Sequence, residues 1–188
     1  NQSIGKRYFK RMNKKLKLWE LNRKTEDEFR EQEKFPIVVV LDDIRSLNNI
    51  GSFFRTADAF NIEKIILCGI TATPPHRDIH KTALGSTETV RWEHQADKLT
   101  CLKELKNSGY ELCVLEQTEQ TTLLQGVSKL PNRPTVLIFG NEVNGVAQEL
   151  VDFSDRIIEI PQFGTKHSLN VSVCAGIVMW EFCKKYIE

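Results

Sequence analysis

No apolar run in this 188-residue sequence approaches membrane-spanning length, and its first residues lack the apolar core of a secretory signal. A membrane protein is therefore not expected, and the cytoplasm is the expected compartment. There is no C-x-x-C pair to hold zinc, and the two histidines four apart, His76 and His80, lack the glutamate of a metalloprotease helix. No metal is expected. No G-x-G-x-x-G follows an apolar run, which removes support for a Rossmann-type dehydrogenase or methyltransferase. The five cysteines (Cys68, Cys101, Cys113, Cys174, Cys183) are odd in number, widely spaced and mostly within apolar runs. They read as small core residues in a reducing compartment. Charge of one sign is also lacking: the net charge is +1, so any surface for RNA must be local.

What remains is a globular composition, 40% hydrophobic and 27% charged, with length for one domain and an appendage. Residues 1–34 form the appendage, a charged arm with helical periodicity from Gly5 to about Glu33. Phe9, Met12, Leu16 and Trp19 recur at helical spacing on one stripe. Lys6, Arg7, Lys10, Arg11, Lys14, Lys15 and Lys17 make its first half basic, and Glu26, Asp27, Glu28, Glu31 and Glu33 turn the second acidic. Two readings stay open, a helix packed on the body through its stripe and an arm gripping RNA phosphates.

From residue 35 onward strands and helices alternate. Ile37 to Leu41 is continuous and β-branched, as in a strand buried on both faces, and Asn49 to Phe60 reads as a crossover helix. Lys64 to Cys68 is a second strand, Thr71 to Ser86 a loop, and Val90 to Trp92 a short strand. A helix from Leu99 to Asn107 stops before Gly109, and strands follow at Tyr110 to Leu115, Thr135 to Phe139 and Arg156 to Ile160. A short helix is expected near Ala147 to Val151, and the last helix buries Val171, Ala175, Val178 and Phe182. The pattern predicts an α/β fold with a largely parallel sheet and helices on both faces.

Three of these strands run into polar loops with a chemical character. Asn49-Ile50-Gly51-Ser52-Phe53-Phe54-Arg55 follows the first strand region, and Gly140-Asn141-Glu142-Val143-Asn144-Gly145 follows Leu137-Ile138-Phe139. Ile160 to Ser172 carries Ser168, Asn170 and Ser172 into the N-terminus of the last helix, where free N–H groups need partners. Taken alone, Ser168 reads as that helix's cap, Asn170 as a second cap, Glu142 as a surface carboxylate and Arg55 as an exposed helix arginine.

Taken together, the three stretches resemble the SpoU (TrmH-like) family of RNA ribose 2′-O-methyltransferases, within the SPOUT superfamily. The pattern N-x-G-[S/A]-x-x-R is met by Asn49, Gly51, Ser52 and Arg55, and G-x-E-x-x-G by Gly140, Glu142 and Gly145. I-P-x-x-G-x-x-x-S-L-N-V-S is met from Ile160 to Ser172. The resemblance covers about residues 35–188, taken as the SPOUT methyltransferase domain, and implies a C-terminal trefoil knot, an exception to unknotted folds.

The resemblance further implies S-adenosylmethionine as cofactor, cradled by Leu115, Glu116, Gly140, Asn141, Gly145, Ile160, Ser168 and Leu169. It implies Arg55 as the catalytic arginine, acting at least as a clamp on the phosphate beside the target ribose. A guanidinium stays protonated far above neutral pH and is a poor base, which leaves the acceptor of the hydroxyl proton open. Asn49 and Ser168 would orient RNA, Glu142 would order the site, and Asn170 would fix the loop. A homodimer through the last helix, with Val178, Trp180 and Phe182, is implied as well.

Three departures bear on substrate: Gln162 stands where Met is frequent, Ala147 where Pro or Ser is frequent, and no tail follows the last helix. The expected substrate is tRNA, because no separate N-terminal RNA-binding domain precedes the arm and Gly109 to Thr118 resembles eukaryotic tRNA guanosine-18 methyltransferase domains. The alternatives are an rRNA enzyme of the same chemistry and a non-catalytic RNA-binding paralogue. A nucleotide-binding module without RNA would leave the Asn49 to Arg55 motif unexplained.

Overall fold

A computed structural model describes residues 13–129 and 132–187. Its elements are α1 (Glu26–Glu31), β1 (Phe35–Asp42), α2 (Leu47–Ala59), β2 (Ile62–Cys68), α3 (Arg77–Ala83), α4 (Ser86–Thr89), β3 (Trp92–Gln95) and α5 (Lys98–Asn107). They continue with β4 (Glu111–Leu115), β5 (Thr122–Leu123), β6 (Thr135–Phe139), α6 (Gln148–Phe153), β7 (Arg156–Glu159) and α7 (Val171–Cys183). One sheet runs β3-β2-β1-β6-β4-β7-β5, and every recorded pair is parallel.

The continuous apolar run of β1 has its cause in this topology. Side chains alternate across the sheet, so Ile37, Val39 and Leu41 enter one core with α2, α3 and α7, while Val38 and Val40 enter a second with α5 and α6. Both faces are covered. Each fully buried valine or isoleucine contributes about 1.5–3 kcal/mol, enough that neither face tolerates a polar residue within the strand. In the first core Phe53 meets Phe139 edge-on at 5.1 Å, which fixes α2 over the end of β6.

Several expectations need correction. The loop from Thr71 to Ser86 contains α3, whose first turn is capped by His76 Nδ1 accepting from the Asp78 N–H at 3.2 Å. Its polar surface hid it, since only Ile79 and Ala83 are buried. The strand expected at Val90 to Trp92 is β3, two residues later, and as an edge strand it pairs with β2 alone. The last strand ends at Glu159, not Ile160. The short helix near Ala147 is α6, which has Ala147 as its N-cap.

The arm differs most. A single helix over Gly5 to Glu33 is not what its described part forms: residues 13–17 have no regular structure and Leu18–Glu20 make one 3-10 turn. Asn22, at φ 47°, turns the chain away before Thr25 caps α1. Leu16 is 62% exposed and Trp19 75%, so this part of the stripe meets no body surface. A short charged segment owes its helicity to packing, and without a partner face the helix has nothing to hold it. Phe9, Met12 and the cations from Lys6 to Arg11 lie outside the described residues. No helix of the described residues is long and apolar enough to cross a membrane.

Candidate active site

In a parallel sheet all carboxyl ends point one way, and ligands collect there where neighbouring crossovers diverge. Here the ends of β4, β6 and β7 open on a cavity of about 700 Å³. Leu115, Phe139, Ile158, Ile160 and Leu169 supply apolar wall, Glu116, Glu142 and Glu159 also line it, and no lysine or arginine among the described residues does. The volume lies within the roughly 300–1,000 Å³ of small-molecule sites.

Side-chain hydrogen bonds tie the three motif loops together at one edge of this cavity. Glu142 Oε1 accepts from the Ser46 N–H at 3.1 Å and from Asn49 Nδ2 at 3.2 Å, while Oε2 accepts from the Arg45 N–H at 3.1 Å. Burial works to raise the Glu142 carboxyl, but the amides of Arg45, Glu142 itself and Ser46, with that of Asn49, hold it below the ordinary glutamate value. Asn49 turns its oxygen the other way, to Asn170 Nδ2 at 3.2 Å and the Ser172 hydroxyl at 3.4 Å. Asn170 Oδ1 in turn accepts from the N–H groups of Ser172 at 3.0 Å and Val173 at 3.3 Å. Asn170 is thus the N-cap of α7, and Ser168 is not.

The loop after β6 closes on itself. Asn141 and Gly145 exchange backbone hydrogen bonds of 3.0 and 2.9 Å, and Asn141 Oδ1 accepts from the N–H groups of Val143 and Asn144. Gly145 sits at φ 69°, and a Cβ there would fall 2.2 Å from Glu116 Oε2. That carboxylate accepts from the Val146 N–H at 3.1 Å through Oε2 and from the Gln117 N–H at 2.8 Å through Oε1. At Gly140 a Cβ would lie 2.1 Å from Val146 N. Both glycines are required by the backbone's own closure.

Of the residues singled out from sequence, Leu115, Glu116, Gly140, Asn141, Glu142, Gly145, Ile160, Ser168, Leu169 and Asn170 all line the cavity. Asn49 stands at its edge through Glu142 and Asn170. Arg55 does not line it: it is exposed on α2, six residues beyond Asn49 and so about 9 Å along the helix axis. Sequence reasoning passed over Asp42 and Lys98. Asp42, buried at the end of β1, accepts from the Ala147 N–H at 2.8 Å, and Lys98 pairs with both Asp42 and Asp43. Two adjacent carboxylates closing a fully apolar strand were the available signal, because such charges need a partner.

Comparison with known proteins identifies relatives of this chain. A model of the SpoU rRNA Methylase family matches residues 36–180. The 23S rRNA (guanosine-2′-O-)-methyltransferase RlmB of Neisseria meningitidis is 31% identical over 146 residues, 78% of this chain and 57% of that protein. The tRNA (guanosine(18)-2′-O)-methyltransferase of Aquifex aeolicus is 30% identical over 152 residues, 80% of this chain and 70% of that protein. Among solved structures, the A. aeolicus TrmH/SpoU tRNA modifying enzyme superposes with a TM-score of 0.77 at 27% identity, covering 86% of this chain and 81% of that one. An AdoMet-bound rRNA methyltransferase from Sinorhizobium meliloti gives 0.73 at 25% identity, covering 87% of this chain and 60% of that one. With its motif loops joined at one cavity and the family model spanning most of its length, the chain belongs to the SpoU rRNA Methylase family.

Proposed function

We propose that this chain methylates a ribose 2′-hydroxyl of RNA with S-adenosylmethionine. The observation that carries the reading is the link from Glu142 through Asn49 to Asn170, which fastens all three motif loops beside one cavity. The cavity suits the cofactor: it has apolar wall for an adenosine, and its charged lining consists of carboxylates, complementary to a sulfonium and an ammonium. When bound, the cofactor supplies an electrophilic methyl group.

The chain's residues position the partners. Leu115, Glu116, Gly140, Asn141, Gly145, Ile160 and Leu169 hold the cofactor, the glycines through close backbone. Both oxygens of Glu142 are occupied by N–H donors, so its role is to order the loops rather than to move a proton. The Ser168 hydroxyl has no protein partner among the described residues and faces RNA together with Asn49. The Arg55 guanidinium is likewise unpaired, and it clamps the phosphate and stabilises charge developing on the hydroxyl oxygen.

Among RNAs we favour tRNA, supported by the match to the A. aeolicus tRNA enzyme over 70% of its length. We also place the chain in the cytoplasm, where its five free cysteines stay reduced. Knotting of the segment leading into α7 and a homodimer belong to the same reading. Of the residues expected at that contact, Val178 and Phe182 are instead buried in the protomer's own core, and Val173, Ile177 and Trp180, exposed at spacings of four and three on α7, are the stripe for a second copy. Ile177→Glu should then give a monomer by light scattering.

The deciding experiment incubates the protein with labelled S-adenosylmethionine and either unmodified tRNA transcripts or rRNA fragments, then digests the RNA to nucleosides. Label in a 2′-O-methyl nucleoside is expected, and binding of RNA without transfer would instead fit a non-catalytic relative. Arg55→Ala should lower transfer at least about 100-fold while leaving affinity for S-adenosylhomocysteine unchanged. Loss of cofactor affinity in that variant would overturn the division of roles.

A further inference from the structure

Building on the methyltransferase reading above, we propose that Phe163 is a stacking platform for an unpaired base of the substrate RNA. The loop between β7 and α7 lines the cavity with Gln162 and again with His167, Ser168, Leu169 and Asn170. The four residues between, from Phe163 to Lys166, do not line it and form its outer rim. Both limbs of this loop are anchored. Ile160 packs on the core, Gln117 Nε2 donates to the His167 carbonyl at 3.2 Å, and Asn170 caps α7 while bonded to Asn49.

On that rim Phe163 is 96% exposed, and its ring has no aromatic or cationic partner among the described residues. Elsewhere in the body phenylalanines are packed: Phe53, Phe54 and Phe139 are fully buried, and Phe35 stacks on Tyr186 at 5.2 Å. An aromatic ring kept wet on an anchored loop gains from a flat partner, and every nucleobase has a π-face to offer.

Charge decides what kind of partner. Among the described residues the cavity lining carries three glutamates and no lysine or arginine, so phosphates are repelled from it and must be held outside. Lys166, three residues from Phe163 and exposed, supplies the cation at the rim, and Arg45 stands exposed with its N–H held by Glu142. A 2′-hydroxyl reaches a recessed methyl group only if its nucleotide is drawn out of its neighbours' stack. Stacking a loop base on Phe163 compensates for that loss, by about 1–3 kcal/mol per base.

The test uses the full chain with Phe163→Ala and Phe163→Trp. The probes are a stem–loop RNA carrying 2-aminopurine in its loop and the same sequence closed as a duplex. Stem–loop binding should quench the 2-aminopurine fluorescence. Phe163→Ala should weaken stem–loop binding roughly 5- to 150-fold and lose the quench, whereas Phe163→Trp keeps both. Duplex affinity and S-adenosylhomocysteine affinity should not change in either variant. Equal stem–loop binding by wild type and Phe163→Ala overturns the stacking role and leaves the methyltransferase reading standing. So does a Phe163→Ala variant that weakens both probes alike, or one that turns a dimer into a monomer by light scattering, which would assign the ring to a second copy. A wild-type protein that binds neither probe and transfers no methyl group to RNA removes both.

Discussion

The side-chain amide of Asn170 donates to the side-chain oxygen of Asn49 at 3.2 Å, across a sequence separation of 121 residues. Because the Asn49 amide is spent on Glu142, the orientation of this one side chain is fixed from both sides. Asn49→Ala should therefore cost about 1–3 kcal/mol in urea unfolding. Asn49→Asp should cost more, since it sets a second carboxylate against Glu142. Unfolding midpoints equal to wild type in both variants would show that the loops are held by other contacts.

Acid should loosen the same link. The Glu142 carboxyl lies below its ordinary value of 4.5 in the folded chain, so its contribution to stability is complete above that value. It is lost as pH falls through the lowered folded value, where the unfolded state binds the proton first. Urea titrations of wild type and Glu142→Gln should differ at neutral pH and converge as the pH is taken below 4.5. A gap that stays constant with pH would contradict the assignment.

Gly145→Ala should both strain the backbone, at φ 69°, and push against the Glu116 carboxylate. A stability loss above about 1 kcal/mol is expected, with S-adenosylhomocysteine no longer raising the melting temperature. Gly164→Ala is the matched control, because a Cβ there meets open space and φ is not in the left-handed region. Similar behaviour of the two variants in scanning calorimetry would mean that loop closure is not the constraint.

For the arm, the exposure of Leu16 and Trp19 shifts the balance between its two readings. Deleting residues 1–17 should leave the melting temperature unchanged while weakening RNA binding. The slope of log affinity against log salt should shrink by roughly 0.7–0.9 for each phosphate contact removed. An unchanged slope with a lower melting temperature would restore the packed helix.

The parallel sheet was legible because β1, β2, β4 and β6 each contain a buried run of three to five consecutive apolar residues, such as Ile65 to Cys68 in β2 and Leu112 to Val114 in β4. Where burial is one-sided or brief, that signal fades. Edge strand β3 reads Trp-Glu-His-Gln, and β5 has two residues, too few for any period. In α3 two buried residues four apart are all that its seven positions show. The cavity residues were legible through the resemblance of the three motifs to the SpoU family, and loop closure at Gly140 and Gly145 and the amide of Asn49, bonded from both sides, are the physical reason for the motif residues. The charge pairing of Lys98 with Asp42 and Asp43 was not, because no local spacing links a helix start to a strand end 55 residues earlier.

Asn170 follows every strand of the sheet in the chain, and this has a meaning for the protein's synthesis. At about 5–20 residues per second, a ribosome adds Asn170 roughly 6–24 s after Asn49. Throughout that interval the growing chain can pair its strands but has no α7 to complete the link. The link between the three loops is accordingly the last part of the candidate site to form, after every strand of the sheet has been made.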